Sequence, residues 1–392
     1  MKSILDFDLK EKVVILRADL NVTIKDSVII DDTRIVASLK TINYILDKGA
    51  KLVIMSHLGK VKSFEDKEKN SLELVYERLN ELVPNKIKFV PYTNDPIIKE
   101  EINKLSFGNA ILLENTRFED LDGKKESSCD EELSKYWASL GDIFINDAFG
   151  CIHRCHASNV GISKYLPSGI GFLIMKEIEE LEKLDNPKRP FGVIMGGAKI
   201  SDKIDVISYL IDKVDYLFIG GAMANTFLKA IGYNIGTSIY EEEELEYCNK
   251  LLYDYKDKIL LPKDFYGSYE ASDEVSKVHL DLADIPDNIM ALDIGEKTVS
   301  YFEEKLKECK TVFWNGPLGA YEYDNFIYGT KAIMEFISKN VENTILGGGD
   351  IVGCAKVLGF EEKLTYLSTG GGASLEYIVN KDQPGLKNIK EE

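Results

Sequence analysis

The chain has 392 residues, 44% hydrophobic and 29% charged, a length and balance that point to a globular protein of two or three domains. Its 66 acidic side chains outnumber 48 basic ones, giving a net charge of −18, which argues against a non-specific nucleic-acid or anionic-membrane binder, because such partners need a positive field. No run of about 18 apolar residues suggests a membrane span, "MKSILDFDLKEK" carries no signal-peptide pattern, and six scattered cysteines read as reduced thiols; the expectation is a cytoplasmic monomer acting on small molecules.

Along the chain, short apolar runs end in Gly, Asp, Asn or His and give way to helical spacing. In the first half the runs are "VVILRAD" (13–19), "AKLVIMSH" (50–57), "IKFV" (87–90), "ILLEN" (111–115) and "DIFINDA" (142–148). The second half has "FGVIMG" (191–196), "YLFIGG" (216–221), "KILLPKD" (258–264), "NIMALDIG" (288–295), "TVFWNG" (311–316), "NTILGGGD" (343–350) and "LTYLSTGGG" (364–372). Near-continuous apolar strands alternating with helices predict parallel sheets covered on both faces. Between the halves, "GFLIMKEIEELEKLDNPKRP" predicts one long amphipathic helix ended by Asn186-Pro187 and Pro190. The predicted fold is α/β: two doubly wound parallel-sheet, Rossmann-like domains, 1–170 and 171–372, joined by that helix and a hinge.

Ligands of open parallel sheets bind beyond the carboxyl ends of the strands. There the first half carries Arg17, Asp19 and Asn21, Arg34 in "DDTRI", His57, Gly59 and Lys60 in "SHLGK", Arg117 in "ENTRF", and His153, Arg154 and His156 in "CIHRCHAS". One such charge alone reads as solvated surface; loops converging on one sheet edge read as a basic basin for a phosphorylated, carboxylated small molecule. The Cys151, His153, Cys155, His156 cluster could also suggest a metal. Zinc sites usually take four ligands, often as two separated pairs, so this compact run favours an anion clamp, with the cysteines as small packing residues.

The second half ends its strands in glycines, which let backbone N–H groups approach phosphate. "GGAKISDKI" adds Lys199 and Lys203, whose i, i+4 spacing predicts one helical face. It is not a Walker loop, because Ala198 intervenes and Ile200 follows the lysine. Nor does a G-x-G-x-x-G follow the first strand, which disfavours a dehydrogenase. A non-enzymatic hinged binding protein explains two lobes but not the paired basic and glycine-rich edges. Asp350 in "GGGD" is a candidate Mg²⁺ ligand or helix N-cap, and both roles can coexist.

Together "RADLNV", "DDTRI", "MSHLGK", "LLENTRF", "NDAFGCIHRCHAS", "RPFGVIMGGAKISDKI", "VFWNGPLGAYE", "GGGD" and "STGGGASLE" resemble phosphoglycerate kinase, in order over essentially the whole chain. The resemblance implies reversible phosphoryl transfer between 1,3-bisphosphoglycerate and MgADP, giving 3-phosphoglycerate and MgATP. It implies a glycerate-binding N-terminal domain with Asp19, Leu20, Asn21, Arg34, His57, Leu58, Gly59, Lys60, Arg117, His153 and Arg154. It implies a nucleotide-binding C-terminal domain with Lys199, Lys203, Ala291, Glu322, Gly348, Gly349, Asp350 and Ile351, with Asp350 near Mg²⁺. Arg34 and Lys199 are the expected catalytic pair, and the tail, about 373–392, is expected to pack back on the first domain.

The chain departs from the family pattern at several positions. Lys60 replaces a usual Arg, a point charge in place of a fork. "NVTI" lacks the usual Pro. Ala222 and Ala291 replace glycines, and Asn225 stands where an aromatic is common, all in the purine region. Ile351 replaces a Thr whose hydroxyl could bind nucleotide phosphate, although the backbone N–H remains.

Overall fold

The computed structural model describes residues 1–389. It divides into one unit of Met1–Glu179, rejoined by the tail from Asn380, and a second of Glu180–Val379.

The strands of the first unit are β1 (Val13–Ala18), β2 (Thr23–Lys25), β3 (Val28–Asp31), β4 (Lys51–Met55), β5 (Ile87–Val90), β6 (Ala110–Leu113), β7 (Ile143–Asp147) and β8 (Ser168–Ile170). Six of them form a parallel sheet in the order β5-β6-β4-β1-β7-β8, while β2 and β3 make a separate antiparallel ribbon. Alternation along β1 divides the core. Val14, Leu16 and Ala18 face the helices Thr33–Asp47 and Glu73–Leu82, whereas Ile15 faces Ile97–Lys104 and Glu131–Ala138. Because β6, β4, β1 and β7 are adjacent and parallel, the loops after them leave from one edge. The tail belongs to this unit: Gly385 donates its N–H to the Ile152 carbonyl at 2.7 Å, and Asn146 Nδ2 donates to the Gly385 carbonyl at 3.0 Å.

The second unit contains β9 (Phe191–Met195), β10 (Tyr216–Ile219), β11 (Ile259–Leu260), β12 (Asp264–Ser268), β13 (Val278–Asp281), β14 (Met290–Ile294), β15 (Thr311–Asn315), β16 (Asn343–Leu346) and β17 (Tyr366–Leu367). Its parallel sheet runs β11-β10-β9-β15-β16-β17. The run "NIMALDIG", expected as another parallel strand, is instead β14 of an antiparallel sheet, β13-β12-β14. A short run of mostly apolar residues, here Met290–Ile294 with Asp293 within it, carries no sign of its pairing direction. The connecting helix is Phe172–Glu182, shorter than the sequence suggested, and the division between units falls within it. The helix Gly372–Val379 stays with the second unit.

Candidate functional site

In the first unit the strand-end cations gather around one histidine. Arg17 shares the Ile15 face of β1 and is fully buried. Its guanidinium donates to Ser158 Oγ at 2.8 Å and the Ala18 carbonyl at 2.5 Å, and lies 3.0 Å from His57 Nδ1. His57 is buried, and burial, then the positive field of Arg17, Arg117 and Arg34, holds its ring well below the ordinary histidine range. Arg34 Nη1 donates to both oxygens of buried Asp19, at 3.0 and 3.1 Å. Asn21 Oδ1 accepts the Gly59 N–H at 2.8 Å, tying the loop after β1 to the loop after β4. Leu20 and Leu58 are core residues, so they bring backbone to this edge. Lys60 is exposed and is not among the groups acting on His57.

Arg117 is held by Asp120 at 2.9 Å and Ser127 at 2.5 Å, with Nη2 3.4 Å from His156 Nε2. Its buried Nε has no hydrogen-bond partner among the described residues. Behind it lies a group that strand-end reading missed. Buried Glu126 accepts the Ser158 N–H at 2.9 Å and the Ser158 hydroxyl at 2.5 Å. Nothing in the sequence pattern separates Glu126 or Ser158 from ordinary loop residues.

The "CIHRCH" cluster diverges. Cys151 is buried toward Arg17 and His57. His156 is buried beside Arg117 and Glu126, and burial with Arg117 and Arg17 lowers its pKa to about 3. His153 is half-buried and accepts from Arg154 Nε at 3.0 Å. Cys155 is exposed, so it is not the packing residue the sequence suggested. Among the described residues no group of three or more His, Cys, Asp or Glu side chains is placed to hold a metal.

The second unit contains a cavity of about 340 Å³ with apolar walls from Ala222, Ile239, Met290, Ala291, Leu292 and Pro317, and with Tyr321, Glu322 and Asp350 also lining it. That size and lining suit a small organic ligand. Lys203 is half-buried, hydrogen-bonded through Nζ to Asn315 Oδ1, and burial pulls its pKa down. Asn315, which the sequence reading did not single out, also donates to the Gly347 carbonyl at 2.5 Å. Lys199 is exposed in the turn before the 3₁₀ segment Ser201–Lys203, and the α-helix begins only at Ile204. The two lysines therefore do not share an α-helical face, as their spacing had suggested.

Gly348 (φ 104°) is the N-cap of the helix Gly349–Val357, so Asp350 is not the cap. Asp350 sits in the first turn, exposed, and its charge, after burial, raises the pKa of nearby Tyr321. The first-turn amides of this helix have no carbonyl one turn earlier to bind. Ile351 is fully buried in the core and brings only its backbone to the site. The strand-end glycines sort into two groups. A Cβ at Gly196 would stand 2.1 Å from the Pro317 carbonyl oxygen and one at Gly316 2.4 Å from that of Gly196; these are small because strand-end backbones pack together. A Cβ at Gly349 would meet nothing within 4 Å, leaving room for a ligand.

A family model described as Phosphoglycerate kinase matches residues 4–381. The phosphoglycerate kinase of Enterococcus faecalis is 50% identical over 394 residues, covering 100% of this chain and 99% of the relative. That of Fusobacterium nucleatum is 50% identical over 393 residues, covering 99% of each. The solved structure of phosphoglycerate kinase from Coxiella burnetii superposes with a TM-score of 0.86 at 33% identity, over 99% of this chain and 98% of that one. The Pyrococcus horikoshii phosphoglycerate kinase gives 0.84 at 29% identity over the same shares.

Proposed function

The chain belongs to the phosphoglycerate kinase family, whose glycolytic reaction moves a phosphoryl group between ADP or ATP and the carboxyl group of 3-phosphoglycerate, and from that premise we propose which residues perform it. The basin of Arg17, Arg34, His57 and Arg117 holds the glycerate, with His153, Arg154 and Lys60 at its rim. Arg17 acts from beneath, since it is buried. The cavity between Ala222, Ile239 and Ala291 holds the base, Glu322 the ribose, and Lys203 with the Gly348–Ile351 turn the phosphates. The observation that carries this assignment is that Glu322 and Asp350 line the same cavity as the apolar walls.

Mg²⁺ belongs to the substrate in this reading. Asp350 is a single carboxylate, and no described cluster forms a protein cage, which fits an ion carried on nucleotide phosphates. The reacting carboxylate and the ADP phosphate are both ionised near neutral pH, so no general base is needed. The enzyme's task is alignment and charge neutralisation. Arg34 from the first unit and Lys199 from the second flank the transferring group when a hinge closes the monomer and excludes water. A cation about 4 Å from a phosphoryl oxygen contributes roughly 4 kcal/mol at an effective dielectric of about 20.

The test is a coupled assay of ATP formation with parallel binding measurements. Lys199→Ala is expected to lower turnover at least ~100-fold, with 3-phosphoglycerate affinity retained. Arg117→Ala is expected to weaken 3-phosphoglycerate binding alone, and Lys203→Ala nucleotide binding alone. The reverse pattern would overturn the assignment.

A further inference from the structure

The turn that carries Lys199 is held by a carboxylate that belongs to neither proposed ligand contact. Glu241 Oε2 accepts the backbone N–H groups of Ile200 at 2.6 Å and Ser201 at 3.2 Å, and Oε1 accepts the Ser201 hydroxyl at 2.5 Å. In the sequence Glu241 opens a run of four glutamates that looks like solvated surface, and Glu242 and Glu243 are indeed exposed. Glu241 is different because its bonds fix the backbone immediately after Lys199.

Glu241 is itself fixed. Its N–H donates to Thr226 Oγ1 at 3.1 Å. Two residues earlier, Ile239 forms part of the cavity wall, and its carbonyl accepts from buried Asn225 Nδ2 at 3.2 Å. Ser238 Oγ accepts the N–H of Ala291, another wall residue, at 2.8 Å. The segment 238–241 thus joins the base end of the cavity to the lysine turn through hydrogen bonds at each step. Burial raises the Glu241 pKa, but the bonds from Ser201 and Ile200 and the charge of Lys199 outweigh it, leaving the carboxyl below its ordinary range. It is therefore ionised at neutral pH and accepts charge-assisted bonds, the stronger kind.

We propose that Glu241 is a positioning residue for phosphoryl transfer, fixing the Lys199 turn and coupling it to the wall of the nucleotide cavity. The inference rests on the reading of Lys199 as catalytic. Misplacement of a reacting group by about 1 Å can cost ~100-fold in rate, so losing this anchor acts on turnover more than on binding.

The experiment measures kcat, KM for both substrates and thermal unfolding midpoints for Glu241→Ala, Glu241→Gln, Lys199→Ala and the Glu241→Ala/Lys199→Ala double variant. Glu241→Ala is expected to lower kcat about 10- to 100-fold with KM for 3-phosphoglycerate unchanged. Glu241→Gln keeps a side-chain oxygen for the amides and is expected to stay within about threefold of the parent kcat. In the Lys199→Ala background the Glu241→Ala loss is expected to shrink below about threefold, because residues acting as a unit are not additive. A near-normal Lys199→Ala removes the reading on which the inference rests. A crippled Lys199→Ala with an undiminished Glu241→Ala loss removes the inference alone, as does a Gln variant as impaired as the Ala variant. Should Glu241→Ala not fold, Ser201→Ala replaces it: a severalfold kcat loss that vanishes without Lys199 supports the role, and equal losses in both backgrounds overturn it.

Discussion

Arg17 fixes the tautomer of His57. Its Nη2 stands 3.0 Å from the ring Nδ1, and a guanidinium only donates, so Nδ1 must be the acceptor and the neutral ring carries its proton on Nε2. The same guanidinium, through Ser158 Oγ, sits one bond from buried Glu126. Burial raises the Glu126 pKa, and Arg17 is the first charge opposing that rise.

Arg17→Met is therefore expected to destabilise the first unit by about 3–5 kcal/mol, the cost of a buried charge left without its partner. Urea unfolding followed by tryptophan fluorescence in a Trp314→Phe background measures it, since Trp137 is then the remaining tryptophan and is fully buried in the first unit. A change below about 1 kcal/mol would mean that the Ser158 bonds alone sustain Glu126.

His156 ties stability to acid. Its folded pKa is lowered to about 3 from 6.5, so between those values the unfolded chain binds one more proton than the folded one. Its contribution is present above about pH 6.5 and is lost at about 1.4 kcal/mol per unit as pH falls toward 3. His57 acts with the same sign, whereas Asp147, raised to about 6 by burial, acts oppositely between 3.8 and 6. The difference between parent and His156→Gln isolates one group. The variant is expected to show a shallower loss of urea midpoint from pH 6.5 to 5, and parallel slopes would refute the assignment.

What the sequence revealed depended on whether the signal was local. The strands β1, β4, β7, β9 and β15 are buried along nearly their whole length, and a strand covered on both faces reads as a near-continuous apolar run. Strand-end position likewise exposed Arg34, His57 and Arg117. Pairing direction was hidden, as β14 shows, because short, mostly apolar strands look alike whether antiparallel or parallel. Side-chain direction was hidden too: Cys155 and Ile351 each point opposite to expectation. Glu126 and Glu241 could not be found, since their importance lies in backbone amides 32 and 40 residues away.

Ile351 illustrates the consequence. Read as a missing phosphate-binding hydroxyl, it suggests that Ile351→Thr would tighten nucleotide binding. The side chain is 0% exposed within the core, so a threonine there would bury a hydroxyl and leave a void. The expected outcome is a loss of about 1–3 kcal/mol in chemical unfolding, with the ADP dissociation constant unchanged. Tighter binding in calorimetric titration would show that the helix rotates to present the hydroxyl.

Asp19 gives the remaining case, and it separates charge from placement. Its side chain is 1% exposed while that of Arg34 is 29% exposed, so the carboxylate holds Arg34 from below and leaves part of the guanidinium accessible at the basin. One nitrogen, Nη1, makes both bonds to Asp19. Asp19→Asn keeps the shape but replaces one acceptor by a donor and removes the charge that makes those bonds strong. Arg34 retains its own charge, so substrate attraction persists while its orientation loosens. Turnover is therefore expected to fall about tenfold, by misplacement, with KM for 3-phosphoglycerate raised only a few-fold; Arg34→Lys, which keeps charge without the fork, should resemble it. If instead Asp19→Asn raised KM strongly and spared kcat, Asp19 would be binding the glycerate directly, and its role as the anchor of Arg34 would be wrong.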